Sequence, residues 1–140
     1  MKIVRFQAGH LEALELQAAQ RDMARYLSRE YGEQLEQAGV AFSAVKAGRI
    51  LGCAGVETIW AGRGVAWSLL GCLTPVEFLG VHRRVCRFLE ELDMRRIEMT
   101  VDTTHEAGHR WAIMLGFQHE GTLKAYTPDG RNCDLYARTK

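Results

Sequence analysis

Two histidines and a glutamate lie at the spacing of a zinc-binding helix in the second half of the chain. His105, Glu106 and His109 fit the pattern His-Glu-x-x-His, in which histidines one helical turn apart bind the metal. The alternative is that polar residues at a helix start match a short pattern by chance. The longer form of the motif continues with Gly and then His, and Ala112 and Leu115 stand at those places here.

Two further observations favour the alternative, that polar residues at a helix start match the zinc-binding pattern by chance. Gly108 lies inside the motif and weakens the helix that would hold the ligands. The chain after Phe117 has the pattern of strands, so no later helix supplies a third ligand. The sequence therefore predicts no metal site, and a zinc hydrolase ranks last among the functions considered.

The motif belongs to a strand-helix unit over residues 96–117. Apolar and polar residues alternate from Ile97 to Asp102, as in a strand with one buried face. Thr103 and Glu106 have the spacing of a capping box, which predicts a helix start. Gly116 predicts the helix end, because glycine adopts the left-handed conformation without steric cost.

The composition is that of an ordinary globular protein. A chain of 140 residues with a net charge of +1 predicts a single domain, 1–140. The charge balance argues against nucleic-acid binding, and no apolar run approaches the roughly 20 residues that span a bilayer. Cys53, Cys72, Cys86 and Cys133 are widely spaced and mostly flanked by apolar residues. We interpret them as reduced core thiols and expect a cytoplasmic protein without a membrane partner.

The remaining pattern gives an ordered series of elements. A short strand at 2–6 precedes a helical region at 9–37, which forms either one bent helix or two. Strands are predicted at 40–46, 50–60 and 64–73, and a final hairpin at 117–126 and 132–138 turns at Pro128-Asp129-Gly130. Thr74, Pro75 and Glu77 predict the start of a helix, with a threonine cap, a proline at the first position and a glutamate closing the box.

This order of elements, together with Leu115-Gly116-Phe117, resembles the GNAT N-acetyltransferase superfamily. More narrowly, residues 97–102, 108–117 and 125–138 resemble small phage-encoded acetyltransferase-like proteins. The resemblance implies an α/β (α+β) fold with a mixed, mostly antiparallel sheet of about six or seven strands flanked by helices. It also implies that the fourth and fifth strands are parallel, because a helix joins them.

Acetyl-CoA is the cofactor that the resemblance implies. In the family it lies along the fourth strand, and a Gly-rich loop before the next helix holds its pyrophosphate. The candidate binding residues here are Leu70, Gly71, Cys72 and Leu73. They lead straight into the helix start at 74–77 without that loop, and proline has no N–H to donate. We therefore expect a degenerate donor site with weak or absent acetyl-CoA binding.

The catalytic residues of the family are also replaced. Ala112 occupies the position at which many members have a tyrosine that protonates the departing thiolate. His105 occupies the position, at the start of the same helix, at which members frequently have an asparagine. Residues 65–72 contain no carboxylate to act as a base. The candidate substitutes for the base are Glu57 and Asp102.

His109 and Tyr126 are further candidates, as proton donors. Two functions from different classes then remain. One is acyl-CoA-dependent N-acyl transfer to an unknown amine or protein acceptor. The other is a non-catalytic binding module that contacts a phage or host protein during phage assembly or host takeover, in the host cytoplasm.

Overall fold

The computed structural model describes the whole chain, Met1–Lys140. No helix in it combines the length and the apolar character needed to cross a membrane. The elements are β1 (Lys2–Arg5), α1 (Gly9–Ala13), a 3-10 helix (Ala18–Tyr26), α2 (Arg29–Ala38), β2 (Gly39–Lys46), β3 (Arg49–Trp60), β4 (Arg63–Leu70), α3 (Pro75–Glu91), β5 (Arg96–Asp102), α4 (Glu106–Met114), β6 (Gln118–Leu123) and β7 (Cys133–Thr139).

The seven strands form one sheet in the order β1-β2-β3-β4-β5-β7-β6. β4 and β5 are parallel, with Arg63 opposite Arg96 and Val65 opposite Glu98. The pairs β1–β2, β2–β3, β5–β7 and β6–β7 are antiparallel. The predicted fold class, a mixed and mostly antiparallel sheet flanked by helices, is confirmed, as is the parallel pair.

The first helical region differs from the sequence prediction, because three short segments replace one or two helices. α1 ends at Ala13, and Leu16 forms an isolated antiparallel bridge with Gly71. α2 begins anew at Ser28, whose side chain accepts a hydrogen bond from the Tyr31 N–H at 3.1 Å. The stretch between them forms a 3-10 helix without a fully buried residue.

Residue contacts divide the chain into two units. The first unit comprises Met1–Thr58 and Ala66–Leu92. In its core, Phe6 is 1% exposed and meets Trp67 edge to face, with ring centroids 5.3 Å apart. The other buried members of this cluster are Leu11, Leu14, Leu16, Leu35, Cys53 and Leu69.

The second unit comprises Ile59–Val65 and Asp93–Lys140. Its buried residues include Ile97, Val101, Trp111, Ala112, Leu115, Phe117, Cys133, Tyr136 and Ala137. On the partly exposed face, Glu98 accepts hydrogen bonds from Arg63 at 2.8 Å and from Arg96 at 2.7 Å. The Arg63 hydrogen bond is the main reason that the pKa of Glu98 falls to about 2, against the opposing effect of burial. The Glu98 carboxylate, paired with these two arginines, therefore stays charged at any physiological pH.

The start of α4 corrects one sequence prediction. The N-cap is His105, without a side-chain capping bond, so the predicted box between Thr103 and Glu106 does not form. The Asp102 carboxylate instead accepts hydrogen bonds from the Thr104 N–H at 2.9 Å and from its hydroxyl at 2.6 Å. This local turn sets the chain path before the helix begins.

Two glycines act as the sequence predicts. Gly116 ends α4 with a φ of +87°. Gly130 has a φ of +83° and donates its N–H to the Thr127 carbonyl at 2.8 Å, which closes the hairpin turn. β6 ends at Leu123 rather than at Tyr126, and Ala125 beyond it takes a positive φ of 51°.

All four cysteines are free thiols, but they do not share one environment. Cys53 and Cys133 are buried, Cys86 is partly buried, and Cys72 is exposed. Burial raises the pKa of Cys53 to about 11, so that thiol remains protonated. The interpretation as core thiols is therefore wrong for Cys72, because β4 ends two residues before it and leaves it on the surface.

Candidate functional site

The N-terminus of α3 is closed by its own side chains. The Glu77 N–H donates to the Thr74 hydroxyl at 3.2 Å, and the Thr74 N–H donates to the Glu77 carboxylate at 3.0 Å. Pro75 occupies the first turn and has no N–H. The predicted capping box is therefore confirmed, and the two backbone donors that it joins are already satisfied.

Glu77 has two cationic partners that the sequence did not indicate. The residue is only 6% exposed, and its carboxylate lies 2.8 Å from Arg49 and 3.6 Å from Lys46. The Thr74 backbone hydrogen bond is the main cause of a lowered pKa of Glu77. Burial opposes that shift, and Arg49 and Lys46 reinforce it. Glu77 thus remains ionised, and cations of the β2–β3 hairpin balance its charge.

We expect Thr74→Ala to lower the free energy of unfolding by about 1 kcal/mol, the usual cost of losing an N-cap. Thr74→Ser keeps the hydroxyl and should stay close to the unmodified protein. Urea denaturation of the three proteins measures the difference. Equal stability of Thr74→Ala and Thr74→Ser would contradict a stabilising role for the capping box.

The candidate donor-binding residues lie in and just after β4. Leu70 is 5% exposed, and Gly71 is buried and donates its N–H to the Leu51 carbonyl at 2.8 Å. A side chain at position 71 would come within 3.0 Å of the Glu15 carbonyl and 3.1 Å of the Leu51 carbonyl. Cys72 is exposed, and Leu73 is half-buried. Of the four residues, Leu70 and Gly71 are thus already enclosed by the protein.

Two glutamines, which sequence reasoning missed, cover β4 at this end. The Gln17 N–H donates to the Leu70 carbonyl at 2.8 Å. The Gln20 side chain accepts from the Leu70 N–H at 3.0 Å and donates to the Ser68 carbonyl at 3.0 Å. Their polar type gave no signal, because glutamines in a polar stretch have the pattern of solvent-exposed residues.

A cavity of about 460 Å³ adjoins the end of β4 in the first unit. Leu11, Leu14 and Leu27 line it together with the exposed Cys72. The exposed Glu12, Glu15 and Arg21 add charge to the same lining. Its mixture of aliphatic and charged groups fits an amphipathic ligand better than a purely apolar one.

Glu57, the first candidate base, lies on β3 in the first unit. It is half-buried and stands opposite Gly39 in the β2–β3 ladder. Its negative charge adds to the effect of burial in raising the pKa of Tyr31. The carboxylate therefore lies close enough to a tyrosine to affect its ionisation.

Asp102, the second candidate base, ends β5 in the second unit. Besides the two Thr104 hydrogen bonds, its carboxylate accepts one from Arg131 at 2.5 Å. Burial opposes ionisation, but the Thr104 hydrogen bonds and the Arg131 charge together hold the pKa of Asp102 below its usual value. A carboxylate so stabilised is a weak base, so a structural role for Asp102 in the turn fits the contacts better.

The two motif histidines lie at the start of α4, where their contacts are with the protein. His109 Nδ1 is 2.8 Å from the Tyr136 hydroxyl, and its Nε2 is 3.2 Å from the Thr103 carbonyl. Burial, with the nearby His109, lowers the pKa of His105. The structure contains no group of three or more His, Cys, Asp or Glu residues placed to hold a metal ion. Tyr126, the other proton-donor candidate, is 56% exposed beside the β6–β7 turn.

Position 112, where the resemblance implies a tyrosine, is buried in this chain. Ala112 is 0% exposed, and its carbonyl accepts a hydrogen bond from the Phe117 N–H at 3.0 Å. The neighbouring Ile113 and Met114 are 65% and 60% exposed. Position 112 is therefore part of the core of the second unit.

This arrangement of strands and helices is the fold of the GNAT-family acetyltransferases. An aminoglycoside 6'-acetyltransferase of type Ii matches with a TM-score of 0.76 and 17% identity, over 99% of this chain and 97% of that one. A ribosomal-protein-alanine N-acetyltransferase from Brucella melitensis matches with a TM-score of 0.74 and 12% sequence identity, over 100% of both chains. A GNAT-family acetyltransferase from Streptococcus pneumoniae matches with a TM-score of 0.70 and 11% sequence identity, over 99% of both chains. No protein-family model and no curated protein sequence matches the chain.

Proposed function

We propose that this protein is an N-acyltransferase that uses acyl-CoA with low affinity and acylates an amine. The observation that carries the proposal is the match to acetyltransferase structures over essentially the full length of both chains. The resemblance of residues 97–102 and 108–117 to acetyltransferase-like proteins agrees with it. The acceptor is an amine on a small molecule or a protein.

The low affinity follows from two features of the first unit that do not fit acetyl-CoA in the family's usual pose. The first turn of α3 has its donors at Thr74 and Glu77 engaged, and the Glu77 carboxylate adds a negative charge at the helix start where the resemblance implies a pyrophosphate. The edge of β4 has its donor and acceptor groups engaged by Gln17 and Gln20. A donor must displace protein groups at both places before it binds.

Isothermal titration with acetyl-CoA tests the proposal. We expect a dissociation constant of about 0.1–1 mM, equivalent to roughly −5 kcal/mol. Transfer of the acetyl group to a panel of amines, followed by mass spectrometry, supplies the second readout. A low-micromolar dissociation constant would contradict the proposed obstruction of the donor site. No detectable binding at millimolar acetyl-CoA, together with no acetylated product, would contradict the proposed activity.

A variant at the start of α3 distinguishes a donor site that is obstructed from a protein that has no donor site. Replacing residues 74–77 by a Gly-rich segment with one basic residue should free backbone donors and remove the Glu77 carboxylate. We expect acetyl-CoA to bind this variant at least about tenfold more tightly, a gain of roughly 1.4 kcal/mol. Thr74→Ser, which keeps the capping box, is the matched control. Equal affinities of the variant and the control would show that α3 does not limit binding.

The second candidate is a non-catalytic binding module in phage assembly or host takeover, acting in the host cytoplasm. The same closed α3 start, the covered β4 edge and Ala112 in place of a tyrosine favour it. The narrower resemblance to phage-encoded proteins supplies the context. Under this alternative, neither the unmodified protein nor the Gly-rich variant binds acetyl-CoA, and neither forms product.

A further inference from the structure

The edge of β4 near its end carries backbone groups that point away from β3. Gly71 donates its N–H to Leu51 of β3. Because successive residues of a strand direct their backbone groups to opposite sides, Leu70 and Ser68 face the other edge. An added strand would pair with these groups. The Leu70 carbonyl already accepts the Gln17 backbone N–H at 2.8 Å, and Leu16 bridges Gly71, which leaves the Ser68 carbonyl and the Leu70 N–H.

The side-chain amide of Gln20 takes the place of such a strand. Its Oε1 accepts from the Leu70 N–H at 3.0 Å, and its Nε2 donates to the Ser68 carbonyl at 3.0 Å. A single amide thus satisfies one donor and one acceptor of the strand edge, as a backbone amide of a paired chain would. The Gln17 side chain donates to the same Oε1 at 3.1 Å and fixes the orientation of the Gln20 amide.

The element that carries Gln20 is weakly anchored. Ala18–Tyr26 is a 3-10 helix of nine residues, none of them fully buried, although Met23 packs partly buried against the core of the first unit. Runs of this helix longer than about four residues are uncommon, because its hydrogen bonds have poor geometry. Segments with little buried surface open at low free-energy cost, so the hydrogen bonds of Gln20 and the packing of Met23 are what hold this segment against β4.

We propose that Gln20 occupies an amide-binding edge of β4 and competes there with the pantetheine arm of the acyl donor. This inference rests on the proposed N-acyltransferase function and names the residue that regulates access to its donor site. The pantetheine arm is an extended chain with secondary amides, so it offers the same donor and acceptor that Gln20 supplies. The exchange conserves the two hydrogen bonds to the edge of β4, and its cost is the opening of the 3-10 segment with the loss of the Gln17–Gln20 hydrogen bond and of the Met23 packing.

Titration of acetyl-CoA and of pantetheine, which lacks the nucleotide, tests the competition. We expect Gln20→Ala to lower the dissociation constant of both ligands by about tenfold, which is the effect of removing hydrogen bonds worth roughly 1.4 kcal/mol in competition. Gln20→Glu retains the side-chain length and an acceptor for Leu70 but places an oxygen against the Ser68 carbonyl, so it should also tighten binding. Gln37→Ala changes an exposed glutamine of α2 and should leave both affinities unaltered.

Hydrogen exchange at the Leu70 amide gives a readout that does not need an acyl donor. We expect this amide to exchange faster in Gln20→Ala than in Gln37→Ala, and pantetheine to restore its protection. Unchanged exchange in Gln20→Ala would overturn the occupancy of the edge. Acetyl-CoA that binds Gln20→Ala and the unmodified protein equally would overturn the competition while leaving the proposed N-acyltransferase function standing. If neither acetyl-CoA nor pantetheine binds any of the variants, both the competition and the proposed N-acyltransferase function are overturned. If only a β-strand peptide restores the protection of the Leu70 amide, the edge of β4 binds a protein partner instead.

Discussion

Replacing Trp111 by alanine should lower the free energy of unfolding by about 3–5 kcal/mol, the range found for large buried aromatic residues. Trp111 lies on α4 and is 8% exposed in the core of the second unit. Its loss removes the apolar surface of an indole ring and leaves a cavity that the surrounding residues fill only in part. Chemical denaturation, followed by circular dichroism so that the lost indole does not affect the signal, measures the change.

Trp60 provides the matched control for this substitution. It belongs to the same unit but is 57% exposed, with the Arg63 guanidinium 4.4 Å from its ring centroid. Trp60→Ala should therefore cost about 0.5–1 kcal/mol, the value of an exposed cation–π contact. A loss below 1 kcal/mol for Trp111→Ala as well would show that α4 does not depend on its tryptophan for packing.

The fold could be predicted from the sequence because its signals are local. The alternation from Ile97 to Asp102 gave β5 with its observed bounds, Arg96–Asp102. The Thr74 cap and Pro75 placed the start of α3, and Gly116 placed the end of α4. Each signal depends on residues within a few positions of one another, where backbone sterics and capping act.

The start of α4 shows where local reasoning fails. Thr103 and Glu106 have the right types and spacing for a capping box, yet no side chain caps the helix. Asp102 offers the Thr104 N–H and hydroxyl a charged acceptor, and Arg131 from the β6–β7 turn holds that carboxylate in place. Arg131 lies far along the chain, so the competition was not visible in the sequence around Thr103.

The candidate donor site depended still more on distant partners. The sequence identified Glu77 as a negative charge at the start of α3, but it gave no indication that Arg49 and Lys46 pair with it. Nor did it indicate that Gln20, 50 positions before Leu70, bonds to the edge of β4. Polar side chains carry no periodic signal that specifies a partner, so these contacts follow only from the folded chain.

Ala112→Tyr introduces the residue type that many GNAT acetyltransferases carry at the equivalent place, and we expect it to lower stability by about 3 kcal/mol or more. Ala112 is 0% exposed, so a phenol ring has no room without movement of the surrounding core. Because the ring would be forced into the protein interior, the substitution should not increase acetyl transfer. Thermal or urea unfolding gives the first result, and mass spectrometry of acetylated amines gives the second.

Ile113→Tyr, at the next position of the same helix, is the control for helix propensity and for the chemistry of the phenol. Ile113 is 65% exposed, so this change should alter stability by no more than about 0.5 kcal/mol. A stable Ala112→Tyr protein with faster acetyl transfer would show that position 112 opens onto the reacting groups. Destabilisation confined to position 112 would instead mean that Ala112 serves the core of the second unit, and that any proton donor for the proposed acyl transfer lies elsewhere.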